Sequence, residues 1–239
     1  MNYLEEFKTG DDKTMQQDID LRVLSLGAGV QSSTLIFKLL EEEIKPVDVA
    51  IFADTGNEPK EVYDWLDYLI KITKNKIDIR IVRNEKNTGN IVKDILSPSG
   101  RFASIPVYTI NKDGTKGNTR RTCTYEYKII PIHKEVRNIL DVTNLRGKAV
   151  EMVMGISYDE IQRTNTAPNK WQINCYPFIP SKITRDDCKH WISHSEYDQP
   201  PRSACIICPY HRNKEWQHLK DNYPEEFKQA LWFDEELGT

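Results

Sequence analysis

Residues 23–34, VLSLGAGVQSST, constrain this chain more than any other stretch. An apolar run of strand character breaks into a short glycine-bearing turn. Helical spacing then begins near Ser32 and buries Leu35, Ile36, Leu39 and Leu40. This layout aims a helix N-terminus, with unpaired backbone N–H groups and a partial positive charge, at whatever lies beyond the strand. Phosphate or sulfate is the natural guest of such a turn. Neither the lysine-bearing Walker pattern nor GxGxxG is present. A second unit follows: residues 47–56, VDVAIFADTG, form an apolar strand ending in Asp-Thr-Gly. Helical spacing resumes at Val62, Trp65, Leu66, Leu69 and Ile70. Two strand–turn–helix units predict half of a doubly wound sheet, in which ligands bind beyond the carboxyl ends of the strands.

Further along, residues 77–83 (IDIRIVR) alternate as a third strand, and residues 149–156 (AVEMVMGI) read as a fourth, ending at Gly155. Between them residues 84–120 are rich in Asn, Gly, Lys and Thr, with turn signals at residues 97–100 and 112–114. A segment that long reads as a functional lid or as disordered chain. Residues 129–140 read as a helix with Pro131 in its first turn. Residues 176–180 (YPFIP) read as extended, residues 184–188 as a capped helix start, and residues 214–237 as helical. These readings divide the chain into a polar lead-in (1–20), an α/β nucleotide-binding domain (21–165) and a helical C-terminal region bearing a C-x-x-C metal site (166–239).

At 239 residues the chain is long enough for a full α/β core. Its net charge of −3 gives no global basic field, although Lys116, Arg120, Arg121 and Lys128 form a local patch. There is no apolar run of membrane-spanning length and no signal-peptide pattern, so a cytoplasmic location and no membrane partner are expected. The five cysteines are an odd number, which favours reduced thiols or metal ligands over a disulfide framework.

Cys205 and Cys208 form a C-x-x-C pair that can present two thiolates to one metal, with Cys123 as a third donor. Adding His211 would make a closed Cys₃His zinc site. Cys175 and Cys188 have no partner spacing and read as core residues, as do Trp171, Trp191, Trp216 and Trp232. Residues 155–163 (GISYDEIQR) sit just past a strand end. There Asp159 and Glu160 fit either a role in orienting Arg163 or binding Mg²⁺, or a plain helix start capped by Ser157.

The pair GAGVQSST and FADTGNEPKEVYDWL resembles the phosphoadenosine-phosphosulfate (PAPS) reductase family of the PP-loop group of adenine-nucleotide α-hydrolases. The wider signature Ser-Gly-Gly-x-Asp-Ser is altered here: Ala28 stands at the first Ser and Ser32 at the Asp. The resemblance implies a Rossmann-like sheet of the HUP type, parallel and doubly wound, with about five strands and a cysteine-bearing helical C-terminal region. It places nucleotide phosphates on Ser25, Gly27, Ala28, Gly29, Gln31, Ser32 and Ser33, and adenosine near Asp54, Thr55 and Gly56. Reductases of this type hold a [4Fe–4S] cluster through two cysteine blocks. Residues 121–131 (RTCTYEYKIIP) resemble the first block with one cysteine missing, and Lys128 matches the lysine that follows it. By the same resemblance Arg163 clamps a phosphate or sulfate.

The implied activity is binding of ATP with Mg²⁺ and attack at its α-phosphate, an adenylylation coupled to sulfur transfer onto a nucleic acid or small acceptor. Arg163, Lys128 and Asp159 are the catalytic candidates. A [4Fe–4S] cluster or Zn²⁺ on Cys123, Cys205, Cys208 and His211 is the expected metal group. A sulfonucleotide reductase ranks second, because residues 232–239 (WFDEELGT) lack the family's redox cysteine. A non-catalytic nucleotide- or nucleic-acid-binding regulator on the same fold is the third reading. A tRNA or DNA acceptor, a sulfur-donor protein and a homodimer stay open as partners.

Overall fold

The computed structural model describes residues 18–86, 88–97, 105–111 and 113–238. Most of the lead-in expected over residues 1–20, and parts of the turn signals at 97–100 and 112–114, lie outside these residues. The central sheet has five strands in the order β3-β2-β1-β6-β7. They are β1 (Leu21–Leu26), β2 (Val49–Asp54), β3 (Ile79–Arg83), β6 (Val150–Met154) and β7 (Gln172–Cys175). A two-stranded antiparallel ladder, β4 (Tyr108–Ile110) with β5 (Lys116–Asn118), is separate from it. From β1 the order runs to β2 and β3 on one side and to β6 and β7 on the other. The β1–β2, β1–β6 and β6–β7 pairs are parallel. This is the doubly wound α/β fold, and its topological switch lies between β1 and β6.

The chain forms two compact units that interleave along the sequence. One takes the described residues through Phe52, Asp64–Ile81 and Glu135–Arg202; the other takes Ala53–Tyr63, Val82–Lys134 and the residues from Ser203 onward.

In the first unit Val23, Leu24, Ile51, Val153, Leu35, Ile36 and Phe37 are buried completely or nearly so. Each side chain of this size withdrawn from water stabilises the fold by about 1.5–3 kcal/mol. Helix α1 (Val30–Leu40) follows β1, and α5 (Arg185–Ser193) packs on it. Phe37 stacks on Tyr197 with ring centroids 4.0 Å apart, while the Lys38 ammonium lies 4.6 Å over Trp191. A buried ion pair joins Arg22 on β1 to Glu151 on β6, and the Arg22 guanidinium also reaches the Lys45 carbonyl at 2.6 Å. The start of α5 is set locally: Thr184 caps it and Asp187 returns the bond to the Thr184 N–H.

In the second unit Ile91, Val92, Ile95, Ile105, Tyr127, Ile207 and Phe233 form one core cluster, with Cys123 and Cys205 packed at its margin. Tyr127 donates to the buried Asp94 at 2.6 Å, and Asp94 also accepts from Thr88. Residues 84–120, expected to be irregular, contain α3 (Ile91–Leu96) and the β4–β5 hairpin. Helix α3 is capped by Asn90, whose side chain accepts from the Lys93 N–H.

Three local expectations change. Residues 177–180 are a turn, closed in part by Ile179 N–H to Tyr176 C=O, and the extended strand lies earlier as β7. Pro177 and Pro180 lack N–H donors, so that stretch cannot join a ladder on both sides. A π-helical turn at Tyr125–Ile129 precedes α4 (Ile130–Ile139). Pro131 cannot donate to the carbonyl four residues back, and the backbone widens just ahead of it. The tail divides into α6 (Asn213–Asn222) and α7 (Pro224–Gly238), because Pro224 cannot continue the ladder of α6.

Candidate functional site

In the first unit β1 ends at Leu26 and the chain turns through Gly27, Ala28 and Gly29 into α1. Ala28 is fully buried at φ +55°, a left-handed conformation that costs a residue with a Cβ about 1–2 kcal/mol. The side chains of this turn are tied inward. Ser32 Oγ donates to Gly29 C=O at 3.2 Å and accepts from Gly29 N–H at 3.3 Å. Ser33 Oγ accepts from Trp65 Nε1 at 2.9 Å, and Thr34 donates to Val30 C=O. Ser25, half-buried on β1, pairs in register with Ile51 and Met154. The first turn of α1 contains no acid. What it offers an anion is therefore the helix N-terminal backbone and its dipole.

The segment after β6 closes on this turn. A Cβ at Gly155 would stand 2.9 Å from Ser32 N and 3.0 Å from Gln31 C, so only glycine permits the observed approach. Gln31 donates from Nε2 to Ser157 Oγ at 3.2 Å and to Glu160 Oε2 at 3.1 Å. Glu160 Oε2 also accepts from Arg163 Nη1 at 2.7 Å. Glu160 thus orients Arg163, one of the two roles open to it from sequence, and links that guanidinium to the first turn of α1. Asp159 takes a different place: it accepts from the Arg185 N–H at 2.9 Å, at the start of α5. Burial pushes its carboxyl up, but hydrogen bonds from Ser157 and the Arg185 N–H outweigh that and hold it below the usual carboxylate range.

In the second unit the Asp54-Thr55-Gly56 turn is held by saturated hydrogen bonding. Asp54, nearly fully buried, accepts from Gly56 N–H at 2.7 Å, Tyr63 Oη at 2.9 Å and Arg83 Nε at 2.8 Å. Burial and the neighbouring Asp54 carboxylate raise the Tyr63 phenol well above its ordinary value. Gly56 sits at φ +70°, and an added Cβ would meet Gly89 O at 2.7 Å. With its carboxylate engaged, Asp54 shapes the turn, and the backbone is engaged as well: Thr55 C=O accepts from Ile91 N–H at 3.0 Å and Gly56 C=O from Asn90 Nδ2 at 2.6 Å.

Glu58, which sequence reasoning did not single out, organises the cysteine region. Its side chain is fully buried. Oε1 accepts from Thr55 Oγ1 at 3.0 Å and from the Cys205 thiol at 3.6 Å, and it lies 3.6 Å from Lys128 Nζ. The other oxygen is buried with no hydrogen-bond partner. The Glu58 charge raises the Lys128 ammonium above its ordinary value, with Cys205 and Cys123 acting in the same direction. Burial, then the Glu58 charge, pushes the Cys205 thiol up strongly. The only local hint of this role was Glu58's position in the turn after β2.

Three thiols, Cys123, Cys205 and Cys208, lie in this unit, and Cys205 and Cys208 share a turn closed by Cys208 N–H to Cys205 C=O at 3.0 Å. Soft thiolate donors suit zinc or an iron–sulfur cluster by chemistry. By arrangement, no three His, Cys, Asp or Glu side chains among the described residues gather closely enough to share one ion. His211, expected as the fourth ligand, lies with Nε2 2.9 Å from the Cys205 carbonyl. A carbonyl only accepts, so that nitrogen carries the proton and serves the turn. Elsewhere in the unit an apolar cavity of about 430 Å³ is lined by Ile105, Val107, Ile207, Trp216, Phe227 and Phe233. Its lining suits neither phosphate nor metal.

Cys188 is buried at the α1–α5 packing, where burial pushes its thiol up to about 11. Cys175 sits beside Arg22, and burial raises its thiol too. No described helix is long and apolar enough to cross a membrane.

No family model and no curated protein matches the chain. Among solved structures, it is similar to the phosphoadenylyl-sulfate (PAPS) reductase of Candida auris. That likeness has 14% identity and a TM-score of 0.47, over 76% of this chain and 75% of the other. It is also similar to the U34-tRNA thiolase NcsA of Methanococcus maripaludis, which carries a [4Fe–4S] cluster. Here the identity is 15% and the TM-score 0.48, over 92% of this chain and 74% of the other.

Proposed function

We propose that this chain is a PP-loop-type enzyme that binds ATP and acts at its α-phosphate, adenylylating an acceptor for sulfur transfer. The observation that carries this reading is the hydrogen-bonded series Gln31–Glu160–Arg163. It couples a cation to an acid-free helix N-terminus. Phosphate oxygens on the N–H groups of residues 30–32 and on Arg163 would meet donors already in place, the kind of pre-set electrostatics on which phosphoryl chemistry depends. An acceptor oxygen attacks Pα, the Pα–O–Pβ bond breaks and pyrophosphate leaves. A hydrosulfide-level nucleophile then forms the C–S bond as AMP departs, with no net change of oxidation state. Cys123, Cys205 and Cys208 are thiols whose chemistry suits a [4Fe–4S] cluster or Zn²⁺, and they would have to draw together to hold either, since in this arrangement they do not surround one ion. Lys128 and Glu58 would set the charge around them.

The test is incubation with ATP labelled at the α-phosphate, Mg²⁺, sulfide and candidate acceptors, with AMP, pyrophosphate and thiolated product measured. Nucleotide binding with no AMP release from any acceptor class would refute the enzyme reading. That outcome would leave the regulator, which one observation favours: Ser32 stands where the signature carries Asp and turns its hydroxyl onto Gly29, so the turn offers no carboxylate for Mg²⁺.

A further inference from the structure

A second feature of the Ala53–Tyr63, Val82–Lys134, Ser203-onward unit lies outside the chemistry above: an exposed strip of aromatic and cationic side chains on and beside the β4–β5 hairpin. Tyr108 and Ile110 alternate on β4 and are 71% and 79% exposed, while Lys116 on β5 lies opposite Ile110 and is exposed as well. The base of the hairpin is closed by Thr119 N–H to Val107 C=O and Val107 N–H to Thr119 Oγ1. The chain leaves it directly into the exposed Arg120 and Arg121. The Arg121 guanidinium lies 5.6 Å over the Tyr210 ring, and Tyr125, 59% exposed, follows four residues later. Among the described residues no ion pair takes Lys116, Arg120 or Arg121. The neighbouring acid, Asp113, is turned onto Thr115 and held below its usual range by the hydroxyl and N–H of that residue.

Large exposed rings and aliphatic groups are costly to leave in water, and uncompensated guanidinium groups repel one another. Both are satisfied together by a partner that is flat, apolar on its faces and anionic along its length. A protein segment would supply acids or apolar groups but rarely both at this repeat, and a membrane surface would ask for a continuous apolar face. We propose that this strip is the docking surface for single-stranded RNA. Unstacked bases lie on Tyr108, Tyr125 and Tyr210, and phosphates lie on Lys116, Arg120 and Arg121. The choice of RNA rests on the functional reading above and takes its acceptor, left open there, to be an RNA loop. The chain's net charge of −3 makes such a local strip necessary, since no global field draws a polyanion in.

The experiment is fluorescence anisotropy of the full chain with a labelled, unstructured RNA dodecamer over a salt series. The variants are Arg120→Ala/Arg121→Ala, Tyr108→Ala and, as a control on α7, Lys228→Ala. The double variant is expected to flatten the log–log salt dependence by about 1.4, two phosphates at 0.7 each. Tyr108→Ala should weaken binding about five- to hundredfold at fixed salt. Lys228→Ala should change neither. All four positions are exposed, so folding is expected to be intact, and circular dichroism checks it. Equal binding to DNA of the same sequence would overturn the choice of RNA. Equal binding to polyglutamate or anionic vesicles, or unchanged RNA affinity in both strip variants, would overturn the surface. ATP titrations on the same samples separate the two proposals: RNA binding lost with ATP binding retained supports the strip alone, and absent ATP binding in the parent chain refutes only the nucleotide reading.

Discussion

Replacing Gly155 by Ala tests how tightly the site in the first unit is assembled. The new methyl would stand 2.9 Å from Ser32 N, 3.0 Å from Gln31 C and 3.1 Å from Ser32 Cα. Carbon contacts are comfortable at about 3.5–4.0 Å, so the strand end and the first turn of α1 must part by about half an ångström or more. These are backbone atoms inside regular elements and cannot swing aside as a side-chain tip can. Overpacking of this kind costs about 1–3 kcal/mol. At about 2–4 °C per kcal/mol for a chain of this size, the melting temperature should fall by about 4–8 °C for a 2 kcal/mol penalty. The same displacement moves the helix N-terminus and stretches the Gln31 bonds to Ser157 and Glu160, so ATP affinity should fall several-fold. Gly27→Ala is the matched control. There an added Cβ meets only Ser32 Oγ, at an ordinary 3.7 Å, and stability should stay within about 0.5 kcal/mol. Urea unfolding and calorimetric ATP titration measure both quantities. A Gly155→Ala protein that unfolds and binds ATP like its parent would show that the close approach of β6 to α1 is not a constraint.

Arg163→Ala should weaken ATP binding by about tenfold or more at low salt, since it removes a charge-assisted contact; unchanged calorimetric affinity would take Arg163 out of the site. Cys205→Ser should lower the iron and sulfide, or the zinc, recovered from anaerobically purified protein, and a full metal complement would reject the thiol set. Cys188 sets a pH dependence. Its folded value of about 11 exceeds the ordinary thiol value of 9.0, so the neutral thiol in the fold contributes stability that is full below pH 9 and is lost as pH rises through 11. Cys188→Ala should flatten that alkaline limb of the urea-midpoint profile by about 2–3 kcal/mol, and an unchanged limb would show that the thiol ionises without penalty.

Much of the fold was legible because it is written locally. Apolar runs at β1, β2 and β6, glycines at the turns and 3.6-residue spacing in α1 and in α2 (Lys60–Ile72) are set by neighbours within a dozen positions. The capping of α5 by Thr184 and Asp187 is legible for the same reason. Strand β7 was not: QINC is short, only half-buried and without an apolar run, and its pairing with β6 alone makes it a strand. The candidate site divides along the same line. Residues 27–33 and 54–56 announce themselves as turns at strand ends, and Cys205 and Cys208 as a spaced pair. Sequence could not show that Asp54 is occupied by Tyr63 and Arg83, or that His211 faces a carbonyl. Nor could it show that Glu58 lies against Cys205, 147 positions away, or that Gln31 reaches Glu160 across 129. Periodicity and turn chemistry depend on bonds between near neighbours and so are carried by the sequence itself. The partners of a buried carboxylate or thiol depend on which distant elements the packed core brings together, and only the tertiary structure decides that.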